Sequence, residues 1–126
     1  MEYFKQYEQT IQRLSDAVYL CDEAGIIRMY NRAAADLWGK EPVAGKELCF
    51  QAVSLLGPDG SVLEGDRHPV TKVLKHHHNE ENTQLILKRA DGTLRYIIQS
   101  TAPLFDIWGK LTGVVNRMVD ITGRCG

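Results

Sequence analysis

The chain has 126 residues, and 15 basic against 16 acidic side chains give it a formal net charge of −1. This length predicts one domain, and the balanced charge gives no strongly basic surface, so no nucleic-acid partner is expected. The longest uninterrupted apolar run, residues 17–21, is too short for a transmembrane helix or a signal-peptide core, so we expect no membrane contact by this chain.

Residues 1–15 have the pattern of a helix with a single apolar stripe. The stripe consists of Phe4, Tyr7, Ile11 and Leu14, and charged or amide side chains occupy most other positions. Its heptad rhythm is too short for an independent coiled coil. The stripe is therefore expected either to pack on its own domain, with Ile97 as one contact, or to form the contact of a homodimer.

A hairpin and a capped helix are expected next. Residues 17–21 and 26–30 have the composition of strands, and Gly25 lies in the turn between them. Asn31 has a side chain that can accept hydrogen bonds from the first turn of a helix over residues 32–38. Gly39 is suited to end that helix.

The middle of the chain predicts further short helices. Residues 41–66 have a mixed apolar pattern that favours short helical pieces. Another helix is expected to be capped by Asp66, to have Pro69 in its first turn and to end at the three histidines of residues 76–78. His68 is expected in a surface turn.

The last third of the chain predicts three strands, over residues 83–89, 94–104 and 111–121. Together with the first hairpin they predict a five-stranded antiparallel sheet, with short helices on one face and the N-terminal helix as a flanking element. The predicted fold class is α+β.

This order of elements resembles the PAS fold, and several motifs agree with that family. They are the opening hairpin at 16–27, NRAAADLWG at 31–39, Gly45-Lys46, RADGT at 89–93, Ser100, Pro103-Leu104, Gly109, Gly113 and Asp120-Ile121-Thr122. The last triplet is similar to the D-I-T signature that often ends a PAS core. The resemblance implies a flanking helix at 1–15, a PAS core at 16–122 and, at 123–126, the start of a linker to an effector.

The resemblance to PAS domains implies a sensory input domain from a longer bacterial signal-transduction protein, most often a sensor histidine kinase. The alternative is a dimerisation module without a ligand, from a diguanylate cyclase or a transcriptional regulator. Expected partners are a second copy of the chain, an effector domain in the same chain and an unknown small molecule. The sequence contains no catalytic motif, so the chain itself is not predicted to be an enzyme.

The cysteines and histidines do not predict a metal or cofactor site. Cys49 lies one position later than the photoactive cysteine of flavin-binding LOV domains, and the polar residues that flank that cysteine are missing. Histidines 76–78 fan out around a helix end and cannot all bind one ion. No haem, flavin or metal is predicted. Three cysteines without a C-x-x-C spacing also suit a reducing compartment, so a cytoplasmic location is expected.

The best candidate for a binding site is the space between the sheet and the short helices, because ligand sites combine apolar walls with a few polar groups. We expect one strand face and the helices to line it. The candidate residues are Val18, Leu20, Ile27, Met29, Leu37, Trp38, Phe50, Val53, Leu74, Leu85, Leu87, Ile98, Ser100 and Arg117. Adjacent strand residues point to opposite faces, so either Asn116 or Arg117 is directed inward.

Signal output is predicted to depend on the end of the last strand. Asp120, Ile121 and Thr122 lie where the sheet stops and the next segment begins. A short carboxylate at that point can accept hydrogen bonds from following N–H groups or pair with a cation, and either contact would fix the direction in which the chain leaves the domain.

Overall fold

A computed structural model describes residues 3–123. The chain begins with a 3₁₀ segment, Tyr3–Tyr7, that continues into helix α1. The helices are α1 Glu8–Arg13, α2 Arg32–Trp38, α3 Cys49–Ala52 and α4 Pro69–His76, and the strands are β1 Ala17–Asp22, β2 Ile27–Tyr30, β3 Ser54–Leu56, β4 Glu80–Lys88, β5 Leu94–Phe105 and β6 Leu111–Asp120. A second 3₁₀ turn, Gly65–Arg67, precedes α4.

The strands form one antiparallel sheet in the order β2-β1-β6-β5-β4-β3. The first and last parts of the chain therefore meet at the centre of the sheet, where β1 pairs with β6. Gly113 of β6 is directly opposite Asp22 of β1, and a Cβ at Gly113 would overlap the carbonyl oxygen of Cys21. This close approach explains why a residue without a side chain is needed there.

The sheet has six strands, so the expectation of five is wrong. The additional strand is β3, which was expected to be helical. Its residues alternate in burial, with Leu55 inside between the more exposed Ser54 and Leu56, and all three pair with β4. The apolar residues around Leu55 are too few to distinguish a strand from a helix by periodicity, and pairing with β4 determines the outcome.

Helices cover both faces of the sheet, but they do so unequally. Helices α2, α3 and α4 lie on one face, here called the inner face, and enclose the main core. Its largest fully buried side chains include Trp38, Tyr19, Leu87, Ile97 and Met118. Residues 3–16, here called the N-terminal segment, lie before β1 on the opposite, outer face, where Phe4 and Ile11 are buried against Val18 and Leu20.

Ile97 belongs to the main core, so the expectation that it receives the N-terminal helix is wrong. The helix instead lies over β1 and its neighbours, with Met29, Leu104 and Val115 packed around it. Residues 1–15 are also not one continuous helix, because Tyr3–Tyr7 is 3₁₀ and α1 ends at Arg13.

Asn31 joins the N-terminal segment to the core. Its Oδ1 accepts hydrogen bonds from the backbone N–H groups of Val18 and Ala34, at 3.1 and 2.9 Å. Its Nδ2 donates to the carbonyl oxygens of Ile11 and Asp16, at 3.0 and 2.8 Å. The expected N-cap of α2 is therefore present, and the same buried side chain also holds the end of α1 against the sheet.

The cap of α4 differs from the expectation. His68, not Asp66, caps the helix, because its Nδ1 accepts a hydrogen bond from the backbone N–H of Val70 at 3.1 Å. His68 is buried rather than in a surface turn, and its ring makes an edge contact with Phe50. Asp66 instead accepts a hydrogen bond from Lys75 at 3.1 Å.

Candidate functional site

A connected group of uncharged polar side chains lies on the inner face of the sheet. Tyr19 of β1, Gln99 and Thr101 of β5 and Asn116 of β6 are all buried. Thr101 Oγ1 donates to Asn116 Oδ1 at 2.7 Å, and Gln99 Nε2 lies 3.2 Å from both Thr101 Oγ1 and Asn116 Oδ1. Gln99 Nε2 is also 3.5 Å from the Tyr19 hydroxyl. We call these four residues the inner polar network.

Two cysteines border the inner polar network. Cys21 and Cys49 are free thiols and are fully buried. Asn116 Nδ2 lies 3.9 Å from Cys21 Sγ. Burial, and then the neighbouring Cys49 thiol, raise the pKa of Cys21 well above its ordinary value. Burial also raises the pKa of Tyr19, so Tyr19 and Cys21 carry no charge at neutral pH.

Three buried side-chain atoms among residues 3–123 have no hydrogen-bond partner: Trp38 Nε1, His68 Nε2 and Gln99 Oε1. The ring of Trp38 packs against the ring of Tyr19, with centroids 5.1 Å apart. His68 uses Nδ1 as an acceptor, so its neutral form carries the proton on Nε2. The interior therefore has one open acceptor and two open donors, which is unusual for buried polar groups.

The predicted cavity residues divide between the two faces of the sheet. Those that belong to the main core or pack against it are Ile27, Leu37, Trp38, Val53, Leu74, Leu85 and Leu87. Val18, Leu20 and Met29 instead face the N-terminal segment on the outer face, so their expected orientation is wrong. Phe50 is 40% exposed at the edge of the inner layer, where its ring contacts His68.

The expected orientation is also wrong for the candidates on β5 and β6. Ser100 Oγ accepts a hydrogen bond from the backbone N–H of Asn82, and Arg117 is exposed and bonded to Asp16 at 3.2 Å. Ile98 pairs with Val119 and is adjacent to inward-facing Ile97 and Gln99, so it is on the outer face. Asn116, rather than Arg117, is directed inward.

Sequence reasoning left Asn116 open and missed Tyr19, Gln99 and Thr101. Tyr19 was missed because β1 is buried along its whole length and shows no alternation. The N-terminal segment covers its outer face and the helices cover its inner face, so apolar residues occupy both sides. Gln99 and Thr101 are two residues apart and therefore lie on the same face of β5, and this spacing is the sequence signal that could have identified the network.

The end of β6 is attached to the start of β5 by several contacts. Asp120 accepts two hydrogen bonds from Arg95, and its other oxygen accepts from the backbone N–H of Thr122 at 2.9 Å. The Thr122 hydroxyl accepts from the backbone N–H of Tyr96 at 2.8 Å, and the N–H of Ile121 donates to the Tyr96 carbonyl. We call Asp120, Ile121 and Thr122 the exit segment.

The pKa of Asp120 reflects these contacts. Partial burial raises it, but hydrogen bonds from Thr122 and Arg95, together with the Arg95 charge, outweigh burial and hold it below its usual value. Asp120 is therefore ionised at neutral pH. The remaining residues predicted for the linker, 124–126, lie outside the described part of the chain, as does Cys125.

A cleft of about 470 Å³ lies where the chain enters and leaves the sheet. Its lining includes Ser15 and Asp16 before β1, Leu37 of α2, and Arg95 and Asp120. The N-terminal segment and the exit segment thus approach each other at one end of the domain. A displacement of β6 relative to β1 would change both at once.

The predicted dimer stripe is mostly covered by its own domain. Phe4 and Ile11 are buried, and Tyr7 is partly buried beside Tyr3, whereas Leu14 is 47% exposed. The largest exposed apolar side chains are elsewhere, in the turn between β5 and β6. Ile107 is 89% exposed and Trp108 is 83% exposed.

Two further observations bear on metals and membranes. Within residues 3–123, no three His, Cys, Asp or Glu side chains lie close enough together to hold a metal ion. None of the helices in this described part is long and apolar enough to cross a bilayer.

Histidines 76–78 are exposed at the end of α4, and His77 adopts a left-handed conformation there with φ 61°.

Comparison with known proteins identifies the family. The family model described as "PAS fold" matches residues 11–125, so the chain belongs to the PAS-fold family. PAS domains are in general sensory or signalling modules. No curated protein sequence matches the chain.

Solved structures agree with this fold. The PAS domain of BvgS from Bordetella pertussis has a TM-score of 0.68 and 20% identity, over 98% of this chain and 89% of that chain. The PAS domain of the fruit-fly ELK potassium channel has a TM-score of 0.76 and 14% identity, over 97% and 99%. VqmA bound to DPO, from Vibrio cholerae, has a TM-score of 0.67 and 17% identity, over 96% of this chain and 58% of that chain.

Proposed function

We propose that this chain is the sensory input domain of a longer signal-transduction protein. It binds a small molecule between the inner face of the sheet and helices α2–α4, and passes the signal through the exit segment to an effector. The observation that carries this proposal is the inner polar network, an uncharged hydrogen-bonding group in an otherwise apolar interior with one acceptor left open.

A purely structural role explains the inner polar network poorly. Burying an amide group without a full set of partners costs roughly 1–3 kcal/mol, and apolar side chains of the same size would avoid that cost. Gln99 has no partner for Oε1 within the described part of the chain. Ligand sites, in contrast, are apolar spaces with a few convergent polar groups.

The position of the network supplies a route for the signal. Gln99 is four residues from Arg95 along β5, and Asn116 is four residues from Asp120 along β6. At about 3.3 Å per strand residue, each separation is about 13 Å. A ligand that changes the pairing of Gln99 with Asn116 acts on the two strands whose ends hold the exit segment, and it shifts the population between two positions of that segment.

Helix α4 is the element expected to move when a ligand binds. Val70 and Val73 are fully buried against the sheet, so a molecule beside Gln99 must displace this helix or rearrange the side chains beneath it. Closely packed interiors respond to an inserted group by discrete shifts of whole elements. VqmA, which has the same fold, is bound to DPO in its solved structure, and this supports a small-molecule ligand.

The effector proposed for the full-length protein is a sensor histidine kinase, and the chain itself acts by binding rather than by catalysis. The domain is proposed to function in the cytoplasm, because Cys21 and Cys49 are both free thiols and lie close together. An isolated copy of this domain is expected to bind its ligand without the effector, since the inner polar network lies wholly within it.

No haem or flavin is proposed. Cys49 is fully buried at the start of α3, next to Cys21, and the exposed histidines at the end of α4 do not face the inner layer. The purified protein should therefore be colourless. An absorption band above 350 nm at stoichiometric intensity, bleached by light or lost on His76, His77 or His78 substitution, would contradict this proposal.

The second candidate function is a dimerisation module without a ligand. It is favoured by the apolar residues that the monomer leaves exposed, namely Leu14 at the end of the N-terminal segment and Ile107 with Trp108 in the β5–β6 turn. Groups of exposed apolar side chains of this kind often mark protein contacts. A homodimer is compatible with both functions, so dimerisation alone does not distinguish them.

Ligand binding is tested by thermal unfolding in the presence of fractionated extract from the native host. A ligand that binds only the folded state raises the unfolding temperature. We expect one or more fractions to stabilise the wild type and Gln84→Leu, which alters an exposed glutamine of β4, but not Gln99→Leu. If no fraction stabilises the wild type, the dimerisation module is the better account. If Gln99→Leu responds equally, the ligand is not held by the inner polar network.

A further inference from the structure

We infer that the ligand proposed to bind between the inner face of the sheet and helices α2–α4 is an uncharged molecule that carries a hydrogen-bond donor for Gln99 Oε1. This inference rests on the proposed function and specifies the chemistry of its ligand. It comes from the way the inner polar network uses its donors and acceptors, and from the absence of an uncommitted charge among the buried residues of the described chain.

The requirement for a donor follows from the direction of the Gln99 amide. Its Nε2 faces Asn116 Oδ1 and Thr101 Oγ1, both at 3.2 Å. Asn116 is fixed in turn, because its Oδ1 accepts from Thr101 and its Nδ2 faces the carbonyl oxygen of Tyr19 at 3.4 Å. Rotating the Gln99 amide by 180° would place two acceptors against each other, so Oε1 remains the group presented to a ligand.

The requirement for a neutral ligand follows from the surroundings of the network. Among the buried residues of 3–123, Asp22 is the one carboxylate, and it is committed to Arg28 at 2.7 Å and to two backbone N–H groups of its own turn. The arginines nearest along the strands, Arg95 and Arg117, are bonded to Asp120 and Asp16 near the surface. A buried ion without a counter-charge costs several kcal/mol, so an anion or a cation is disfavoured.

A second unpaired polar atom, Trp38 Nε1, indicates that a hydrogen-bond acceptor on the ligand would also strengthen binding. Trp38 Nε1 is a buried donor without a partner, and its ring contacts Tyr19, whose hydroxyl lies 3.5 Å from Gln99 Nε2. A primary amide has both a donor and an acceptor without a net charge. Small primary amides of otherwise apolar molecules therefore represent the ligand class that this interior recognises.

Three nearly isosteric probes test the inference: benzamide, acetophenone and benzoate. They share a phenyl ring and a carbonyl carbon. Benzamide has a neutral hydrogen-bond donor, acetophenone has no donor, and benzoate has a negative charge. Affinities are measured on the isolated domain by NMR titration, following the side-chain amide signals of Gln99 and Asn116. We expect benzamide to bind at least about tenfold more tightly than either of the others, since a site with an unpaired acceptor discriminates strongly against a ligand without a donor.

Two variants test whether Gln99 is responsible for the preference for benzamide over acetophenone. Gln99→Leu should reduce the ratio of benzamide to acetophenone affinity to about one, whereas Gln84→Leu, the same change at an exposed position, should leave the ratio unchanged. The wild-type ratios decide the question even if Gln99→Leu fails to fold.

Three results would overturn the inference. Acetophenone binding as tightly as benzamide would overturn the donor requirement, and benzoate binding as tightly would overturn the charge requirement. The absence of any binding up to the solubility limit of all three probes would overturn the ligand class. These three results concern only the chemistry of the ligand. The proposed function is tested separately, by whether a fraction of host extract raises the unfolding temperature, so failure of the inference and failure of the proposed function are distinguishable.

Discussion

Arg95 and Asp120 are joined by two hydrogen bonds, in which Nε and Nη2 of the guanidinium donate to the same carboxylate oxygen at 3.0 and 2.8 Å. Arg95 lies near the start of β5 and Asp120 is the last residue of β6, so the pair connects neighbouring strands where the chain leaves the sheet. The second carboxylate oxygen holds the backbone of Thr122. One side chain thus sets the geometry of the exit segment.

Asp120→Ala should alter regulation more than stability. The substitution removes the Arg95 contacts and the bond to Thr122, and because the pair is partly exposed the loss of unfolding free energy should be about 1 kcal/mol. In the full-length protein, effector activity should lose most of its dependence on the signal. Arg117→Ala, which breaks the exposed pair with Asp16, is the matched control and should retain regulation. Normal regulation in Asp120→Ala, or unfolding of the domain, would contradict this expectation.

His68 should make the domain less stable as the pH falls below 7. Burial lowers the pKa of His68 from 6.5 to about 4, so the unfolded chain takes up a proton at a higher pH than the folded domain does. The stability that comes from keeping His68 neutral is fully present above a pH of about 6.5. As the pH falls towards 4, this part of the free energy of unfolding is lost, by about 3 kcal/mol in total. Protonation also removes the acceptor that caps α4.

Urea unfolding at a series of pH values measures this effect. His68→Asn retains a side-chain acceptor for the Val70 N–H but does not titrate, so its stability should change much less between pH 6.5 and 4.5. His76→Asn, at an exposed position, should behave like the wild type. A wild-type slope that persists unchanged in His68→Asn would show that another group is responsible.

Gly113→Ala should be strongly destabilising, because the new methyl group would overlap the backbone of Cys21 and force β1 away from β6. We expect a loss of more than about 3 kcal/mol, the range of severe overpacking. Gly109→Ala is the control: it has φ +81° but open space around its Cβ, so it should cost about 1–2 kcal/mol. Equal losses in the two variants would mean that β1 and β6 are not as close as described.

Leu14→Glu should weaken homodimerisation without unfolding the monomer. Leu14 is exposed in the monomer, whereas Phe4 and Ile11 of the same stripe are buried on Val18 and Leu20. Phe4→Ala should therefore lower the stability by about 3 kcal/mol or more, as expected for a buried aromatic residue. Sedimentation equilibrium and urea unfolding separate the two effects. A wild-type protein that is monomeric, or a Leu14→Glu variant that is equally dimeric, would exclude this contact.

Deletion of residues 1–14 should weaken dimerisation, as Leu14→Glu does, and lower the stability, as Phe4→Ala does. It would uncover Val18 and Leu20 and remove the Asn31 bond to the Ile11 carbonyl. The truncated domain should therefore be less stable as well as less dimeric, which makes the single substitution at Leu14 the clearer measurement.

Local signals in the sequence were sufficient for much of the fold. Helix α2 begins after Asn31 and ends before Gly39 as expected, because a side-chain cap and a left-handed glycine are determined by the residues themselves. The short strand around Leu55 was not predictable in this way, since its conformation depends on pairing with β4, which is distant in sequence.

The candidate site was harder to predict than the fold. A strand covered on both faces, such as β1, gives no alternation from which to choose the inner side, so Val18 and Leu20 were assigned to the wrong face. The pair Asn116 and Arg117 left two alternatives that only the register with β1 decides. His68 was placed at the surface because nothing in its local sequence indicates that Phe50 would cover it.

Native mass spectrometry of the domain after exposure to host extract tests the central claim most directly, because it detects the bound molecule itself. One additional small mass is expected on the wild type and on Gln84→Leu, and it should be absent from Gln99→Leu. A wild type that retains only its own mass, or a bound mass that persists in Gln99→Leu, would contradict a ligand held by the inner polar network.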